Sequence, residues 1–139
     1  MVRPIAFPGG RLEDADSDVE QTARRETLEE VGLDLSTAAC IGQLDDVAAH
    51  IDPIRVSGFV FQLSGVPPFT YSDEVQQAFW FPLNRLTESG RHLTLRIPEE
   101  PGVREMPAID LLGPGRTPLW GLTYRFVRQL VKLTRETLP

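Results

Sequence analysis

The sequence predicts one α/β domain, and three observations support this class. Segments with the length and the β-branched or aromatic content of strands occur together with two helical patterns. The chain has 139 residues, which is within the usual size of one domain, and a hydrophobic composition of 41% is enough to form a core. We find no internal repeat or low-complexity tract that would indicate another architecture. We therefore expect a single domain over residues 1–139.

The predicted strands share a high content of valine, isoleucine and phenylalanine and are separated by proline and glycine. Four are predicted at residues 2–7, 39–44, 56–63 and 76–81, and two weaker candidates lie at 92–97 and 103–109. The segment 56–63 is the richest in large apolar residues, so we expect it to be the central strand. Pro67 and Pro68 follow it, and consecutive prolines cannot donate to a sheet, so a loop is expected there.

Two helices are predicted. Ser17 and Glu20 have the spacing of a capping box, and Gly32 is placed where a helix ends in the left-handed conformation, so the first helix should run from 16 or 17 to 31. The second should cover 120–138, where an apolar stripe comprises Leu122, Phe126, Leu130 and Leu133. Its basic residues could suggest a membrane surface, but the acidic composition elsewhere favours an ordinary packing helix.

Net charge, cysteine count and the length of apolar runs indicate which classes of binding partner are unfavourable. The 20 acidic and 14 basic residues give a formal net charge of −6, which disfavours general attraction to nucleic acid or to an anionic membrane. Cys40 is the single cysteine, so an intrachain disulfide is excluded and a reducing cytosol is compatible. No apolar run approaches the roughly 20 residues that span a bilayer, and no signal peptide is recognisable. We expect a soluble, cytoplasmic protein.

Three carboxylates crowd one side of the first predicted helix. Glu26, Glu29 and Glu30 lie within about one turn, which is unfavourable unless a cation lies among them. Carboxylate oxygens are the ligands that Mg²⁺ and Mn²⁺ prefer, so the arrangement indicates a divalent-metal site. Gly9 and Gly10 precede the helix, let the backbone come close, and could add a carbonyl ligand. A solvated acidic helix face is the alternative.

The same stretch closely resembles the Nudix box, the loop-helix signature of the Nudix hydrolases. That box places a glycine and an upstream glutamate before Arg-Glu-aliphatic-any-Glu-Glu-any-Gly-aliphatic. The matching residues here are Gly10, Arg25, Glu26, Glu29, Glu30, Gly32 and Leu33. Three departures concern the loop and one helix position: the 14 residues between Gly10 and Arg25 are one more than usual, Asp16 or Glu13 replaces the upstream glutamate, and Thr27 occupies an aliphatic position.

Within that family the chain is similar to the coenzyme A diphosphatase branch, which often carries a longer, Asp-rich loop. The segments that carry this likeness are 7–11 (FPGGR), 14–18 (DADSD), 73–75 (DEV), 79–83 (FWFPL) and 119–123 (LWGLT). The resemblance implies an α/β/α sandwich built on a mixed sheet. The family fold has strands ahead of the box, and the branch has an Arg-containing signature there that is absent here. We therefore expect part of the N-terminal sheet to be missing.

The resemblance implies a Nudix pyrophosphohydrolase, a diphosphatase that acts on phosphoanhydride bonds. The first-choice substrate is coenzyme A or an acyl-CoA, with phosphopantetheine and adenosine 3′,5′-bisphosphate as products. It implies Mg²⁺ or Mn²⁺ as cofactor, held by Glu26, Glu29, Glu30 and the carbonyl of Gly10. Bound ions would neutralise the diphosphate and activate water.

Other roles are implied with less specificity. The general base is Glu29 or Glu74, which precedes a predicted strand, with Asp73 as a weaker substitute. Arg25 is expected to pair with a carboxylate of the loop or helix and to hold the catalytic site together, because a guanidinium fixes carboxylate geometry through two points. Arg11 and Gly9 are the candidates for contact with the substrate phosphates. His50 and His92 could act as bases but lie in no recognisable motif.

Three other readings stay open. The chain could be a catalytically inactive Nudix-like module that binds a nucleotide or a protein, a metal-stabilised structural domain with no substrate, or a pyrophosphatase for ADP-ribose, NADH or nucleoside triphosphates. The expected partner of the enzyme is a nucleotide-type small molecule, and neither nucleic acid nor a membrane is expected as a partner. An exposed sheet edge would also make a homodimer plausible.

Overall fold

A computed structural model of the protein describes residues 4–49, 54–73, 75–134 and 138–139. The elements, in chain order, are α1 (Val19–Val31), β1 (Ala39–Gln43), β2 (Val47–Ala48), β3 (Arg55–Val56), β4 (Phe59–Gln62), β5 (His92–Glu99), β6 (Gly102–Ile109), β7 (Leu119–Trp120) and α2 (Leu122–Leu133). Two short 3-10 helices, at Leu83–Arg85 and Ser89–Arg91, lie between β4 and β5.

The described residues fall into two compact units. The α1 unit comprises those within Phe7–Asp46 and Arg55–Trp80. The α2 unit comprises those within Met1–Ala6, Val47–Ile54 and Phe81–Pro139. The candidate site residues of the Nudix-like box all belong to the α1 unit.

Helix α1 starts later than predicted and uses a different cap. Asp18 is the N-cap, because its Oδ1 accepts a hydrogen bond from the backbone N–H of Gln21 at 2.9 Å. The capping box of Ser17 with Glu20 was therefore the wrong choice. An aspartate satisfies the same orphan amide and adds a negative charge at the positive end of the helix dipole. The predicted end is confirmed, since Gly32 has a φ of 72° and its N–H bonds to Leu28 O.

The α1 unit contains a small antiparallel sheet of β1 and β4. Ala39 pairs with Gln62 and Gln43 with Phe59, which confirms the strand predicted at 39–44. The strand predicted at 56–63 is interrupted at Ser57, whose Oγ donates to Asp46 Oδ1 at 2.9 Å. That side-chain contact accompanies the break between β3 and β4.

Two predicted strands are absent from the described residues that should contain them. Residues 4–7 form no strand; Pro4 begins this short run and Pro8 follows it, and neither has an amide donor. Residues 76–81 form a loop instead. Trp80 Nε1 donates to Pro67 O at 3.0 Å, and the Tyr71 hydroxyl donates to Ala78 O at 2.9 Å. Trp80, one of the aromatic residues that suggested a strand, therefore helps to hold a loop together.

The α2 unit is built on a hairpin. Strands β5 and β6 pair in register from His92 opposite Ile109 to Glu99 opposite Gly102, and β7 pairs with the end of β6. Both weaker strand predictions are thus confirmed. The core of the unit comprises Leu86, Ile109, Leu119, Tyr124, Val127 and Val131.

Helix α2 is shorter than predicted at its start, because Trp120 belongs to β7 and the helix begins at Leu122. Residues 135–137 of the predicted helix lie outside the described residues. The predicted apolar stripe is wrong at Leu133, which is 71% exposed. Phe126 of the predicted stripe is buried, and so are Tyr124, Val127 and Val131, which the prediction left out and whose spacing places them on one side of the helix.

Helices and small sheets together confirm the predicted α/β class. The pairings of β1 with β4 and of β5, β6 and β7 are antiparallel. Among the described residues, no helix combines the length and the apolar character that crossing a bilayer requires.

Candidate metal and catalytic site

The three glutamates of the box line one cavity. Glu26, Glu29 and Glu30 share it with Ser72 and Asp73, and its volume is about 310 Å³. Residue spacing on α1 accounts for the glutamates, because positions three and four apart lie on the same face of a helix. The other two lining residues are distant in sequence. Tertiary structure is therefore needed to complete the cavity.

Two backbone hydrogen bonds bring the second segment to the end of α1. Thr70 N donates to Val31 O at 2.9 Å, and Ser72 N donates to Glu30 O at 3.0 Å. These carbonyls belong to the last turn of the helix, where no intrahelical donor is left for them. The turn at Gly32 leaves room for the contact, since a Cβ on Gly32 would overlap Thr70 Oγ1. The position of Asp73 beside the glutamates follows from these contacts.

Arg25, the arginine of the box, forms a two-point ion pair with Asp16. Arg25 Nε lies 2.9 Å from Asp16 Oδ1 and Arg25 Nη2 lies 3.0 Å from Asp16 Oδ2, so the pair is held at two points. The Thr22 hydroxyl donates to the same carboxylate at 2.9 Å. The hydrogen bonds from Arg25 hold the pKa of Asp16 well below its ordinary value, and Asp16 in turn raises the pKa of Arg25. Glu13, the other candidate for this position, lies 3.7 Å from Arg25 Nη1.

The same guanidinium also contacts the glutamates. Arg25 Nη1 lies 3.0 Å from Glu26 Oε1 and 3.3 Å from Glu29 Oε2. Arg25 Nη2 also donates to the backbone oxygen of Arg11 at 3.2 Å, which ties the glycine-containing loop to the helix. The expected pairing of Arg25 with loop and helix carboxylates is thus present. The cation that lies between Glu26 and Glu29 in this structure is the arginine itself.

Gly10 lies directly against the carboxylate of Glu26. A Cβ added to Gly10 would overlap Glu26 Oε1 and come within 2.6 Å of Cδ, whereas a Cβ on Gly9 would meet nothing within 4 Å. Only a residue without a side chain fits this place without moving Glu26. Arg11, the next residue, is exposed.

The donor set suits a hard divalent ion in chemical type. Carboxylates from Glu26, Glu29, Glu30 and Asp73 line the cavity, and the close approach of Gly10 places backbone beside one of them. Among the residues that the structure describes, however, no three His, Cys, Asp or Glu side chains are already arranged around one point. The residues therefore fit Mg²⁺ or Mn²⁺ in kind, and the side chains would have to converge as the ion binds.

Three further candidates from the sequence are placed differently. Glu74 and His50 lie outside the described residues. His92 belongs to the α2 unit, where its Nε2 lies 2.6 Å from Leu86 O. Ser72 is the lining residue that sequence reasoning missed, because no motif distinguishes it from other loop serines.

Comparison with known proteins agrees with this geometry. A family model described as the NUDIX domain matches residues 3–106. The mitochondrial coenzyme A diphosphatase NUDT8 of Homo sapiens is 34% identical over 125 residues, which cover 86% of this chain and 50% of that protein. A Nudix hydrolase, NudL, of Escherichia coli is 32% identical over 127 residues, which cover 91% of this chain and 64% of that protein.

NudL of Yersinia pestis is 30% identical over 132 residues, which cover 92% of this chain and 63% of the relative. The chain thus spans between 50% and 64% of the length of these three relatives. The family match includes the whole of α1 and the segment that carries Ser72 and Asp73. The chain belongs to the Nudix family.

Proposed function

We propose that the chain is a divalent-metal-dependent pyrophosphohydrolase that cleaves a diphosphate joining a nucleoside to another group. Coenzyme A or an acyl-CoA is the first-choice substrate, and the products are then phosphopantetheine and adenosine 3′,5′-bisphosphate. The observation that carries the proposal is the cavity in which three glutamates of one helix and Asp73 come together. Such a concentration of carboxylates is suited to divalent ions and, through them, to phosphates.

The choice of coenzyme A rests on two likenesses. The human relative bears the name of a coenzyme A diphosphatase. The segments around the glycine loop and around residues 73–83 resemble that branch of the family. ADP-ribose, NADH and nucleoside triphosphates are the competing substrates, because each contains a phosphoanhydride and the box itself does not distinguish among them.

Glu26, Glu29 and Glu30, with the carbonyl of Gly10, would hold Mg²⁺ or Mn²⁺. When bound, the ion neutralises charge on the phosphoryl oxygens and lowers the pKa of a coordinated water. Arg25 acts as a positioning residue, since it connects Asp16 in the loop to Glu26 and Glu29 on the helix. These contacts tie the glycine-containing loop to the helix, and Glu26 and Glu29 would still have to move together as an ion binds.

The proton of the attacking water has a candidate acceptor in Glu29. Its side chain is 57% exposed, so water reaches it, and its Oε2 lies 3.3 Å from Arg25 Nη1. A carboxylate that water reaches can accept a proton from it. Glu74 is the alternative base. The variants Glu29→Gln and Glu74→Gln distinguish the two candidates, because the substitution that removes the base should lower kcat more.

The substrate phosphates would lie beside Gly9 and Arg11. The chain carries a net charge of −6, so an anionic substrate depends on local positive charge. Arg11 is exposed and follows the glycine loop, and its backbone oxygen is held by Arg25. A guanidinium at that place can donate two hydrogen bonds to a phosphate.

The deciding experiment measures phosphate-containing products from coenzyme A, ADP-ribose, NADH and nucleoside triphosphates in the presence of Mg²⁺ or Mn²⁺. We expect turnover of coenzyme A that EDTA abolishes. Cleavage of another of these substrates with no cleavage of coenzyme A would overturn the substrate choice and keep the reaction. No turnover of any of them would overturn the enzyme itself.

A second candidate is a Nudix-like module that binds a nucleotide or a protein without cleaving it. The observation in its favour is that Arg25 already lies between Glu26 and Glu29, where it supplies the positive charge that an ion would bring. This candidate predicts that nucleotide affinity is the same with and without EDTA.

Cytoplasmic location and a homodimer stay predictions.

A further inference from the structure

Ser72 has a side chain whose polar atom lacks a partner. Its Oγ is buried and has no hydrogen-bond partner among the described residues. A buried hydroxyl without a partner is unfavourable, because it has given up its hydrogen bonds to water and gained none. This hydroxyl belongs to one of the five described residues that line the cavity of Glu26, Glu29, Glu30 and Asp73. An unsatisfied donor beside a candidate site calls for a bound partner.

The backbone of Ser72 is already fully used. Its N–H donates to Glu30 O at 3.0 Å, and its carbonyl oxygen accepts from Val75 N at 3.1 Å. The hydroxyl is therefore the remaining group at this residue, and the backbone contacts hold it beside α1. Its position does not depend on a side-chain hydrogen bond.

Neighbouring contacts hold the same loop in shape. The Tyr71 hydroxyl donates to Ala78 O, and Trp80 Nε1 donates to Pro67 O. The rings of Phe69 and Trp80 stack with their centroids 4.9 Å apart. Together with the backbone hydrogen bonds of Ser72, these contacts hold the described part of the loop, residues 67–73 and 75–80. A backbone that is held before a ligand binds reduces the entropic cost of binding.

The chemistry of the cavity indicates what the partner is. Four of its five described lining residues are Glu26, Glu29, Glu30 and Asp73, whose ionised side chains only accept hydrogen bonds. A phosphoryl oxygen is also an acceptor, so the side chain of Ser72 is the only neutral donor among these five residues that can meet it. A cation can compensate the carboxylates, but it donates no hydrogen bond.

We propose that the Ser72 hydroxyl donates a hydrogen bond to a phosphoryl oxygen of the bound diphosphate. Ser72 is thus a substrate-binding residue. This inference rests on the proposed function, because it requires a diphosphate in the cavity. The inference concerns the binding of substrate, whereas the glutamates are proposed to bind the ion.

The test compares two probes on three variants of the full chain. Mn²⁺ alone reports the ion site, and methylenediphosphonate with saturating Mn²⁺ reports binding of a diphosphate that is not hydrolysed. Calorimetry measures both affinities for Ser72→Ala, for Ser72→Thr, which retains a hydroxyl, and for Ser64→Ala, an exposed loop serine in the same unit. Thermal unfolding of the metal-free variants is measured alongside.

We expect Ser72→Ala to bind Mn²⁺ as the wild type does and to bind methylenediphosphonate about 10-fold more weakly, as the loss of one hydrogen bond to a charged group predicts. Ser72→Thr should restore much of that affinity, and Ser64→Ala should change neither. The Tm of metal-free Ser72→Ala should be unchanged or higher, since the alanine removes an unsatisfied hydroxyl.

Three results would overturn the inference. Equal diphosphonate affinity in Ser72→Ala would show that the hydroxyl does not contact the phosphate. Weaker Mn²⁺ binding alone would place the hydroxyl at the ion, and a lower Tm without metal would assign it a structural role. If the wild type binds neither probe, the proposed function fails together with the inference, whereas the other results leave the proposed function intact.

Discussion

Arg25 and Asp16 form an ion pair at two points, with Nε 2.9 Å from Oδ1 and Nη2 3.0 Å from Oδ2. The pair joins the loop after Gly10 to the middle of α1, and it places the upstream acidic residue of the box in a structural position. The extra residue of the box lies between Asp16 and Arg25, and the two-point ion pair forms across it. The Asp16 side chain is only 5% exposed in this pair.

The first prediction concerns the pH dependence of stability. Arg25 holds the pKa of Asp16 below its ordinary value of 3.8, so the folded state binds this proton less readily than the unfolded state does. The contribution to stability is therefore fully present above about pH 3.8 and is lost as the pH falls towards the lowered folded pKa. Asp16→Asn should lower Tm at neutral pH, and its difference from the wild type should shrink in acid. Thermal unfolding across this range checks it, with the exposed Asp14→Asn as control; a difference that stays constant with pH would contradict it.

A second prediction tests the contact of Gly10 with Glu26. Gly10→Ala should displace the Glu26 carboxylate, because the new Cβ would come within 2.6 Å of its Cδ. Glu26 can rotate away, so we expect little change in Tm but about 10-fold weaker Mn²⁺ binding, the effect of misplacing one ligand. Calorimetric titration with Mn²⁺ measures this. Gly9→Ala is the matched control, since its Cβ meets nothing within 4 Å. Equal Mn²⁺ affinity in both variants would remove Gly10 from the site.

The third prediction concerns Glu30. Glu30→Gln keeps the size of the side chain and removes its charge, so turnover should fall by about 100-fold or more if this carboxylate holds the ion that stabilises the transition state. The measurements are the rate of product formation from coenzyme A and the affinity for Mn²⁺ by titration. Glu105→Gln, an exposed change in β6, should leave both unchanged. Full activity with undiminished Mn²⁺ binding in Glu30→Gln would show that the box does not act through this residue.

The fourth prediction concerns the turn that ends α1. Gly32 has a φ of 72°, which costs a residue with a side chain about 1–2 kcal/mol, and a Cβ there would also overlap Thr70 Oγ1. Gly32→Ala should therefore lower the free energy of unfolding by at least that amount. Displacement of Thr70 would also move the segment that brings Ser72 to α1.

Chemical denaturation and Mn²⁺ titration measure both effects of Gly32→Ala. Gly42→Ala in β1 serves as control, because a Cβ there meets nothing within 4 Å and the glycine has no left-handed backbone. A Gly32→Ala variant as stable as Gly42→Ala would mean that the turn relaxes without strain.

The sequence predicted correctly those features that depend on residues close together in the chain. The end of α1 at Gly32 and the common face of Glu26, Glu29 and Glu30 follow from helical spacing and from the freedom of glycine to adopt a positive φ. The strands β5 and β6 were recognisable from their composition, whereas their pairing as a hairpin was seen only in the structure. The cap was misassigned to Ser17, since Asp16, Ser17 and Asp18 are all good capping residues and only the backbone path decides among them.

By itself, the sequence determined that this chain carries a helix with three glutamates on one face and belongs to an α/β class. Tertiary structure alone decided which residues meet that helix. Residues 76–81 form a loop rather than a strand because hydrogen bonds to distant carbonyls, such as that from Trp80 to Pro67, replace sheet pairing. Ser72 and Asp73 reach the glutamates through the unpaired carbonyls at the end of α1. Contacts between residues some forty positions apart leave no periodicity, so no pattern could have predicted them.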